Sequence, residues 1–279
     1  MMGENINGVP RYIYASANDF LRHCIIVGTT GSGKTTTASA IATQLSKYGA
    51  VIIMDWYGEY SSLLSNVEII EPNSSVPIPI PSDVDDIVTI FEEVLELSSA
   101  QAYILQRVVD AYKPSTLSEL IEYVEAYPVE AKWIIESKHA LLRRISMLLS
   151  REKIFSIGNY KLFQLLKVQR PLIVDISKIR NIILKRLAVI ALLKAVEIIK
   201  SYKKIHNEVF IVLEEAHNVI AIGKSLISRM LSEVRKLGVG IILITQSPSV
   251  MGHSVITVSY THLRAHETSL HLVCRLLLE

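Results

Sequence analysis

The sequence has only two cysteines, Cys24 and Cys274, which stand far apart in no metal-binding or redox spacing. This scarcity argues against a disulfide framework and favours a reducing, cytoplasmic compartment. The N-terminal residues lack a basic stretch followed by an apolar one, so we expect no signal peptide. The most apolar stretch, residues 187–199, is interrupted by two charges and is too short for a membrane span. We therefore expect a buried helix there and no membrane association.

An excess of charge of either sign is also missing. Lys and Arg number 29 and Asp and Glu number 27, which leaves a formal net charge of +2. A chain that binds nucleic acid through its overall basicity is thereby excluded, and any such contact has to come from a local patch. Half of the 279 residues are apolar, which is enough for a large α/β domain with a sizeable core.

The most informative motif is G-T-T-G-S-G-K-T at residues 28–35, which directly follows the apolar residues 25–27. A P-loop requires a buried strand, then a glycine-rich turn and then a helix, and the sequence around this motif predicts all three. This context disfavours the alternative that a glycine turn matches the motif by chance. The loop amides and the helix N-terminus attract phosphate, Lys34 can reach the β- and γ-phosphates, and the Thr35 hydroxyl can bind Mg²⁺. The predicted nucleotide-binding residues are Gly28, Thr29, Thr30, Gly31, Ser32, Gly33, Lys34, Thr35 and Thr36.

Short β-branched runs alternate with segments of helical period along the chain, which predicts a mostly parallel sheet covered by helices on both faces. The four prolines between residues 72 and 81 exclude a helix and indicate an extended connector. A capped helix is expected to start near Ser82, opening an all-helical insert at about 82–150. The predicted strands are residues 23–27, 50–54, 67–70, 171–175, 209–213 and 240–245.

Residues 210–218, F-I-V-L-E-E-A-H-N, predict a buried strand that ends in two carboxylates. We expect this strand to lie beside the P-loop strand and to carry its acids to the nucleotide. Glu214 is assigned to Mg²⁺ through the water shell of the ion, and Glu215 is assigned as the base that orients and deprotonates the attacking water. The competing interpretation is a pair of solvated carboxylates at a strand end.

Three further residues are candidates for the site. Gln246 ends the strand at 240–245, where its amide can sense the γ-phosphate or hold the water, or simply cap the loop. Arg235 is the preferred arginine to face the γ-phosphate of a neighbouring subunit, with surface solvation as the alternative. Asp55, at the end of the second strand, is equally well explained as a ligand-site residue or as a turn-forming residue before Gly58.

Six motifs follow one another in order between about residues 10 and 257. They are R-H-C-I-I-V-G-T-T-G-S-G-K-T-T, D-W-Y-G-E-Y, V-D-I-S-K, L-E-E-A-H-N, V-R-K-L-G-V-G and T-Q-S-P-S. With these motifs the chain resembles the HerA-type central domain, in the HerA–FtsK branch of P-loop ATPases with a RecA-like core. The resemblance implies an ATP- and Mg²⁺-dependent homo-hexameric motor that translocates or unwinds double-stranded DNA, with a NurA-type nuclease as a partner in end resection and repair. It assigns the catalytic roles to Lys34, Glu215, Gln246 and Arg235.

Two other functions stay open at the level of sequence. The same ATPase core could pump or package DNA, or act in secretion, in a conjugation, secretion or viral system. A nucleotide switch that does not hydrolyse ATP is a third class, but such a switch does not need the pair Glu214 and Glu215. We therefore favour an ATPase.

The two ends of the chain carry separate expectations. Residues 1–20 are expected to be a lead-in to the core at 21–257, without the β-barrel that precedes the P-loop in full-length relatives. Residues 258–279 resemble read-through of adapter or vector sequence, so we expect a non-native tail. Half of the eight histidines follow residue 250. The alternative for that tail is a metal site made by His262, His266, His271 and Cys274.

Overall fold

The computed structural model describes residues 2–6, 9–13, 15–128, 131–202, 207–220, 224–248, 261–268 and 271–278. Only the backbone is described for residues 2–6, 9–13, 149–152, 224–225, 261–268 and 271–278. The chain divides into two compact units. The first comprises Met1–Glu71, Leu165–Lys178 and Ile199–Glu279, and the second comprises Pro72–Gln164 and Ile179–Ile198.

The elements follow one another along the chain as alternating strands and helices, with a run of four helices in the middle. In order they are β1 (Met2–Ile6), β2 (Val9–Ile13), α1 (Ala17–Phe20), β3 (Cys24–Val27), α2 (Lys34–Leu45), β4 (Ala50–Asp55), α3 (Tyr60–Leu63), β5 (Glu68–Ile70), β6 (Ile78–Ile80), α4 (Val84–Leu95), α5 (Ser99–Tyr112), α6 (Leu117–Ala126), α7 (Lys132–Ile145), β7 (Phe155–Ile157), β8 (Leu172–Asp175), α8 (Ile182–Ser201), β9 (Val209–Leu213), α9 (Ala216–Ile220), α10 (Lys224–Lys236), β10 (Val239–Thr245), β11 (Thr261–Thr268) and β12 (His271–Leu278). Two 3₁₀ segments, Ser146–Ile154 and Lys161–Leu165, flank β7.

The first unit is built on an eight-stranded sheet in the order β12-β11-β3-β10-β9-β4-β8-β5. All of its described pairs are parallel except β11 with β12, so the predicted mostly parallel sheet is confirmed. All six strands predicted from the sequence belong to it, with ends shifted by at most one residue. A separate antiparallel hairpin joins β1 to β2.

The expectation that the Glu214–Glu215 strand lies beside the P-loop strand is wrong. Strand β10 lies between them, paired with β3 through Val27 and Thr245 and with β9 through Leu243 and Leu213. All seven residues of β10 are buried, which suits a strand with a neighbour on each side and a covered surface on each face. This insertion places Gln246 between the P-loop and Glu215.

The core of the first unit lies between α2 and one face of the sheet. Alternate strand residues point to that face, as the two-residue period of a strand requires, and they pack against the apolar stripe of α2. The residues between them face the opposite side and are also buried. The cluster includes Ala38, Ile41, Ala42 and Leu45 from α2 and Cys24, Ile26, Val51, Ile53, Phe210, Val212, Ile242 and Ile244 from the strands.

A buried histidine, His23, ties the start of β3 to its neighbours. Its Nδ1 accepts a hydrogen bond from the backbone N–H of Ile241 at 3.0 Å, and its Nε2 lies 2.8 Å from the carbonyl oxygen of Leu231 in α10. These partners require the neutral ring with hydrogen on Nε2. Burial lowers the pKa of His23 to about 4, and the charge of Arg235 acts in the same direction.

His23 should make the folded state sensitive to acid. The unfolded chain takes up this proton near pH 6.5, whereas the folded chain does so near pH 4. The contribution of neutral His23 to the free energy of unfolding is therefore fully present above about pH 6.5. The free energy of unfolding falls by up to about 3 kcal/mol as the pH drops to 4. Urea unfolding at pH 7.5 and 4.5 measures the loss. His23→Asn should be less stable at pH 7.5 but lose less on acidification, and an equal loss in both proteins would contradict the assignment.

The second unit is mainly helical. The apolar side of its first helix, α4, is buried, at Ile87, Ile90, Phe91, Val94 and Leu95. The cap of this helix is Asp83 and not Ser82, because the Asp83 carboxylate accepts from the N–H groups of Asp85 and Asp86.

The predicted helix at 187–199 lies within α8, and most of its apolar residues are buried. The predicted connector at 72–81 contributes a short strand, β6, which pairs in parallel with β7. No helix in the described ranges combines the length and apolarity that crossing a membrane demands.

Candidate nucleotide-binding site

The loop between β3 and α2 has the backbone geometry of an anion cradle. Gly31 and Gly33 both adopt φ +81°, a left-handed conformation that side chains disfavour. Gly33 is also the N-cap of α2, so the free amides of this twelve-residue helix open toward the loop. Lys34 is 8% exposed, and its Nζ donates to the carbonyl oxygen of Thr29 at 2.7 Å. The ammonium group therefore lies along the inside of the loop that the sequence predicts to hold phosphate.

Glu214, at the end of β9, contacts the first turn of α2. The Thr35 hydroxyl donates to its Oε1 at 3.2 Å, while its Oε2 is buried and has no hydrogen-bond partner among the described residues. Burial raises the pKa of Glu214 to about 7, and the charge of nearby Asp55 raises it further, against the hydrogen bonds from the Thr35 hydroxyl and the Trp56 backbone. A cation beside this buried carboxylate would stabilise its ionised form.

This donor set fits a magnesium ion. Mg²⁺ takes hard oxygen ligands and binds proteins through one or two groups plus substrate phosphates and water. The Thr35 hydroxyl and the free Oε2 of Glu214 supply such oxygens within one short contact of each other. These residues would hold the ion directly or through its waters, and the bound ion would neutralise phosphate charge. The described residues contain no cluster of three or more His, Cys, Asp or Glu that could hold a metal without a substrate.

Glu214→Gln should raise the free energy of unfolding at alkaline pH, when it is measured in the absence of nucleotide and metal. The unfolded chain releases this proton near pH 4.5 and the folded chain near 7, so stability falls by up to about 3 kcal/mol as pH rises across that window. Urea unfolding at pH 8.5 should show most of this gain, and at pH 4.5 almost none. The exposed Glu136→Gln, whose carboxylate pairs with Lys132, is the matched control. A gain of equal size at both pH values would contradict the buried-charge explanation.

Glu215 is held at both carboxylate oxygens. Its Oε1 accepts from the Gln246 side-chain amide at 3.1 Å, and its Oε2 lies 3.1 Å from Nδ1 of His217. Gln246 in turn accepts from the Thr30 hydroxyl of the P-loop at 2.9 Å. Thr30 lies in the loop after β3, Gln246 directly follows β10, and Glu215 lies two residues after the end of β9. The hydrogen bonds therefore link these three strand ends in the order that the strands have in the sheet. The inserted strand thus connects the phosphate loop to the candidate base.

Adjacent glutamates reach different partners because the backbone turns at Glu215. Its φ is +49°, an uncommon conformation for a residue with a side chain and one often found at functional sites. Glu214 and Glu215 are each 5% exposed, so the interpretation of a solvated pair does not describe their environment.

His217 is a residue of this site that sequence reasoning missed. A single histidine two positions after an acidic pair gives no signal by itself. The signal that could have found it is its place at the start of a helix next to a catalytic candidate. Its Nδ1 also lies 3.3 Å from the hydroxyl of Thr245.

Asp55 makes the contacts of a turn-forming residue. Its two oxygens accept four backbone N–H groups from residues 57–60, at 2.8 to 3.3 Å. Gly58 lies within this turn at φ +81°. Asp55 is 1% exposed and its carboxylate organises the loop after β4, so the turn-forming interpretation is the one that the contacts support.

The other predicted residues lie in three places. Gly28, Thr29, Ser32 and Thr36 are part of the loop and the first turn of α2. Arg235 lies in the last turn of α10, before β10 begins, at the sheet edge opposite the P-loop, and the fold does not bring it to this nucleotide site. The side chains of His262, His266, His271 and Cys274 lie outside those described, although the backbone there forms β11 and β12.

Comparison with known proteins identifies relatives along most of the chain. A family model described as "Helicase HerA, central domain" matches residues 2–196. The DNA double-strand break repair helicase HerA of Sulfurisphaera tokodaii is 25% identical over 270 residues, which cover 86% of this chain and 54% of the relative. The corresponding protein of Sulfolobus acidocaldarius is 25% identical over 287 residues, which cover 92% and 56%. The chain thus spans about half the length of the curated relatives it matches.

Solved structures share the fold at lower identity. VirB4 of Thermoanaerobacter pseudethanolicus superposes with a TM-score of 0.69 at 16% identity, over 96% of this chain and 84% of that one. The plasmid coupling protein TrwB in complex with ADP and Mg²⁺ gives 0.64 at 13% identity, over 93% and 74%. The fold is therefore the α/β fold of P-loop ATPases, as the sequence predicts.

Proposed function

The chain belongs to the family of the HerA helicase central domain, and we propose that it is the ATP-hydrolysing core of a motor that moves along double-stranded DNA. One observation carries this proposal. The P-loop, Glu214, Glu215 and Gln246 converge at the carboxyl edge of one parallel sheet, where ligands bind in open α/β folds.

Each residue has a distinct role in the proposed reaction. The loop amides and Lys34 grip the phosphates of ATP, and Thr35 and Glu214 provide oxygens for Mg²⁺. Glu215 orients the attacking water and accepts its proton. Gln246, exposed at the mouth of the site, reads the terminal phosphate. These groups act mainly by position and charge, which is how phosphoryl transfer is catalysed in P-loop enzymes.

The proposed assembly and partners are those that the family resemblance implies, and the position of Arg235 is compatible with that assembly. We propose a homo-hexamer in which Arg235 reaches the nucleotide of the next subunit, since it lies far from the P-loop of its own chain. Double-stranded DNA is the proposed track, and a NurA-type nuclease is the proposed partner in end resection. A ring needs only a few Lys and Arg side chains in its pore, which is compatible with a net charge of +2.

A DNA-pumping or packaging ATPase of a conjugation, secretion or viral system is the second candidate. The shared fold with VirB4 and TrwB is compatible with it, but at 16% and 13% identity that likeness concerns the fold alone. The matches to HerA proteins are the reason to prefer a repair motor.

The test is ATP hydrolysis by the chain with and without linear duplex DNA, followed by phosphate release. We expect turnover that rises on adding duplex DNA, and light scattering that reports a hexamer. Absence of turnover would overturn the ATPase, whereas turnover that ignores DNA would overturn the translocase and leave the ATPase standing.

A further inference from the structure

The two contacts that hold Glu215 differ in character. Gln246 and Thr30 are both exposed, and together they connect Oε1 of Glu215 to the loop that the phosphates of ATP would occupy. The contact at Oε2 comes from His217, whose side chain is 22% exposed and whose contacts among the described residues are to Glu215 and Thr245, not to the phosphate loop. A phosphate entering the loop competes for Thr30 and Gln246, but not for His217.

The chemistry of the pair defines the state of the histidine. An ionised carboxylate can only accept hydrogen bonds, so Nδ1 of His217 carries the hydrogen at its 3.1 Å contact with Oε2. The Thr245 hydroxyl lies 3.3 Å from the same nitrogen and is itself fixed by the N–H of Ser247 at 3.0 Å. Thr245 is fully buried at the end of β10. The ring is thus supported by a rigid strand end.

We propose that His217 is a positioning residue for ATP hydrolysis, which keeps Oε2 of Glu215 in place while Gln246 leaves Oε1 for the terminal phosphate. This inference rests on the proposed function. The freed Oε1 then accepts a proton from water as the water oxygen bonds to the terminal phosphorus and the bond from that phosphorus to ADP breaks. Without His217, Glu215 would lose its second contact at the moment Gln246 departs, and its carboxylate would no longer be aimed at the water.

The test compares three substitutions at one position in the full chain. His217→Leu removes the donor. His217→Asn places an amide N–H where Nδ1 stands, and His217→Gln places it one bond too far. We expect His217→Leu and His217→Gln to lower kcat about ten-fold with KM nearly unchanged, since one charge-assisted hydrogen bond is lost and the phosphate grip is not. His217→Asn should recover most of the rate. His139→Leu, on the exposed surface of α7, is the matched control and should keep full activity.

A double substitution separates this inference from the proposed function. In the Glu215→Gln background, adding His217→Leu should cause no further loss, because the two residues act through one carboxylate. If Glu215→Gln alone retains full turnover, the proposed role of Glu215 fails. If Glu215→Gln is inactive but His217→Leu is fully active, or if Asn and Leu at 217 lose activity equally, His217 has no positioning role. A rise in KM that accounts for the loss would also overturn the inference.

Discussion

Glu215→Gln should lower the rate of ATP hydrolysis at least about a hundred-fold while leaving ATP binding nearly unchanged. A positioned general base contributes on the order of 10² to 10⁴ in rate, and an amide cannot accept the proton. Glutamine has the same shape and can still accept the hydrogen bond from Gln246, which is 3.1 Å from Glu215 in the wild type. Phosphate release at saturating ATP measures the rate, and titration with a fluorescent ATP analogue measures binding.

Glu233→Gln, a half-buried glutamate on α10, is the control for a general effect of removing one carboxylate. It should hydrolyse ATP at the wild-type rate. Equal turnover by wild type and Glu215→Gln would show that the water is deprotonated elsewhere. Loss of binding in parallel with turnover would show instead that Glu215 supports the loop through Gln246 and Thr30.

The strands of this fold could be predicted closely because they are apolar on both faces. A central parallel strand is buried on each side, so β9 and β10 read as unbroken apolar runs that end at a polar residue. The order of strands could not be predicted in the same way. The sequence shows the order of the strands along the chain. It does not show where a crossover connection places a strand in the sheet, so the position of β10 between β3 and β9 could not be predicted.

The candidate site was predicted in its parts but not in its connections. Loops after parallel strands meet at one edge, which is sufficient to bring Glu214 and Gln246 near the P-loop. The division of labour between Glu214 and Glu215 depends on a left-handed backbone at Glu215, which a sequence does not show for a glutamate. That turn also brings His217 to Oε2 of Glu215, so this contact could not be predicted, although the place of His217 beside a catalytic candidate could have drawn attention to it.

Lys34→Ala should weaken ATP binding by about ten- to a hundred-fold for each phosphate contact that is lost. A charge-assisted hydrogen bond of this kind contributes about 1.5–3 kcal/mol. In the structure Nζ of Lys34 is already inside the loop, bonded to the carbonyl of Thr29 at 2.7 Å, so a bound phosphate has only to replace that carbonyl. The substitution removes both the phosphate contact and the hydrogen bond from Lys34 that braces the loop.

Calorimetric titration with a non-hydrolysable ATP analogue tests this prediction. Lys47→Ala is the matched control, because Lys47 lies two residues after the end of the same helix, is exposed, and its ammonium group donates only to Gln44 among the described residues. It should bind like the wild type. If Lys34→Ala binds the analogue within about three-fold of wild type, a difference below 1 kcal/mol, the ammonium group does not grip phosphate. The amides of the loop and of the α2 N-terminus would then have to hold the anion alone.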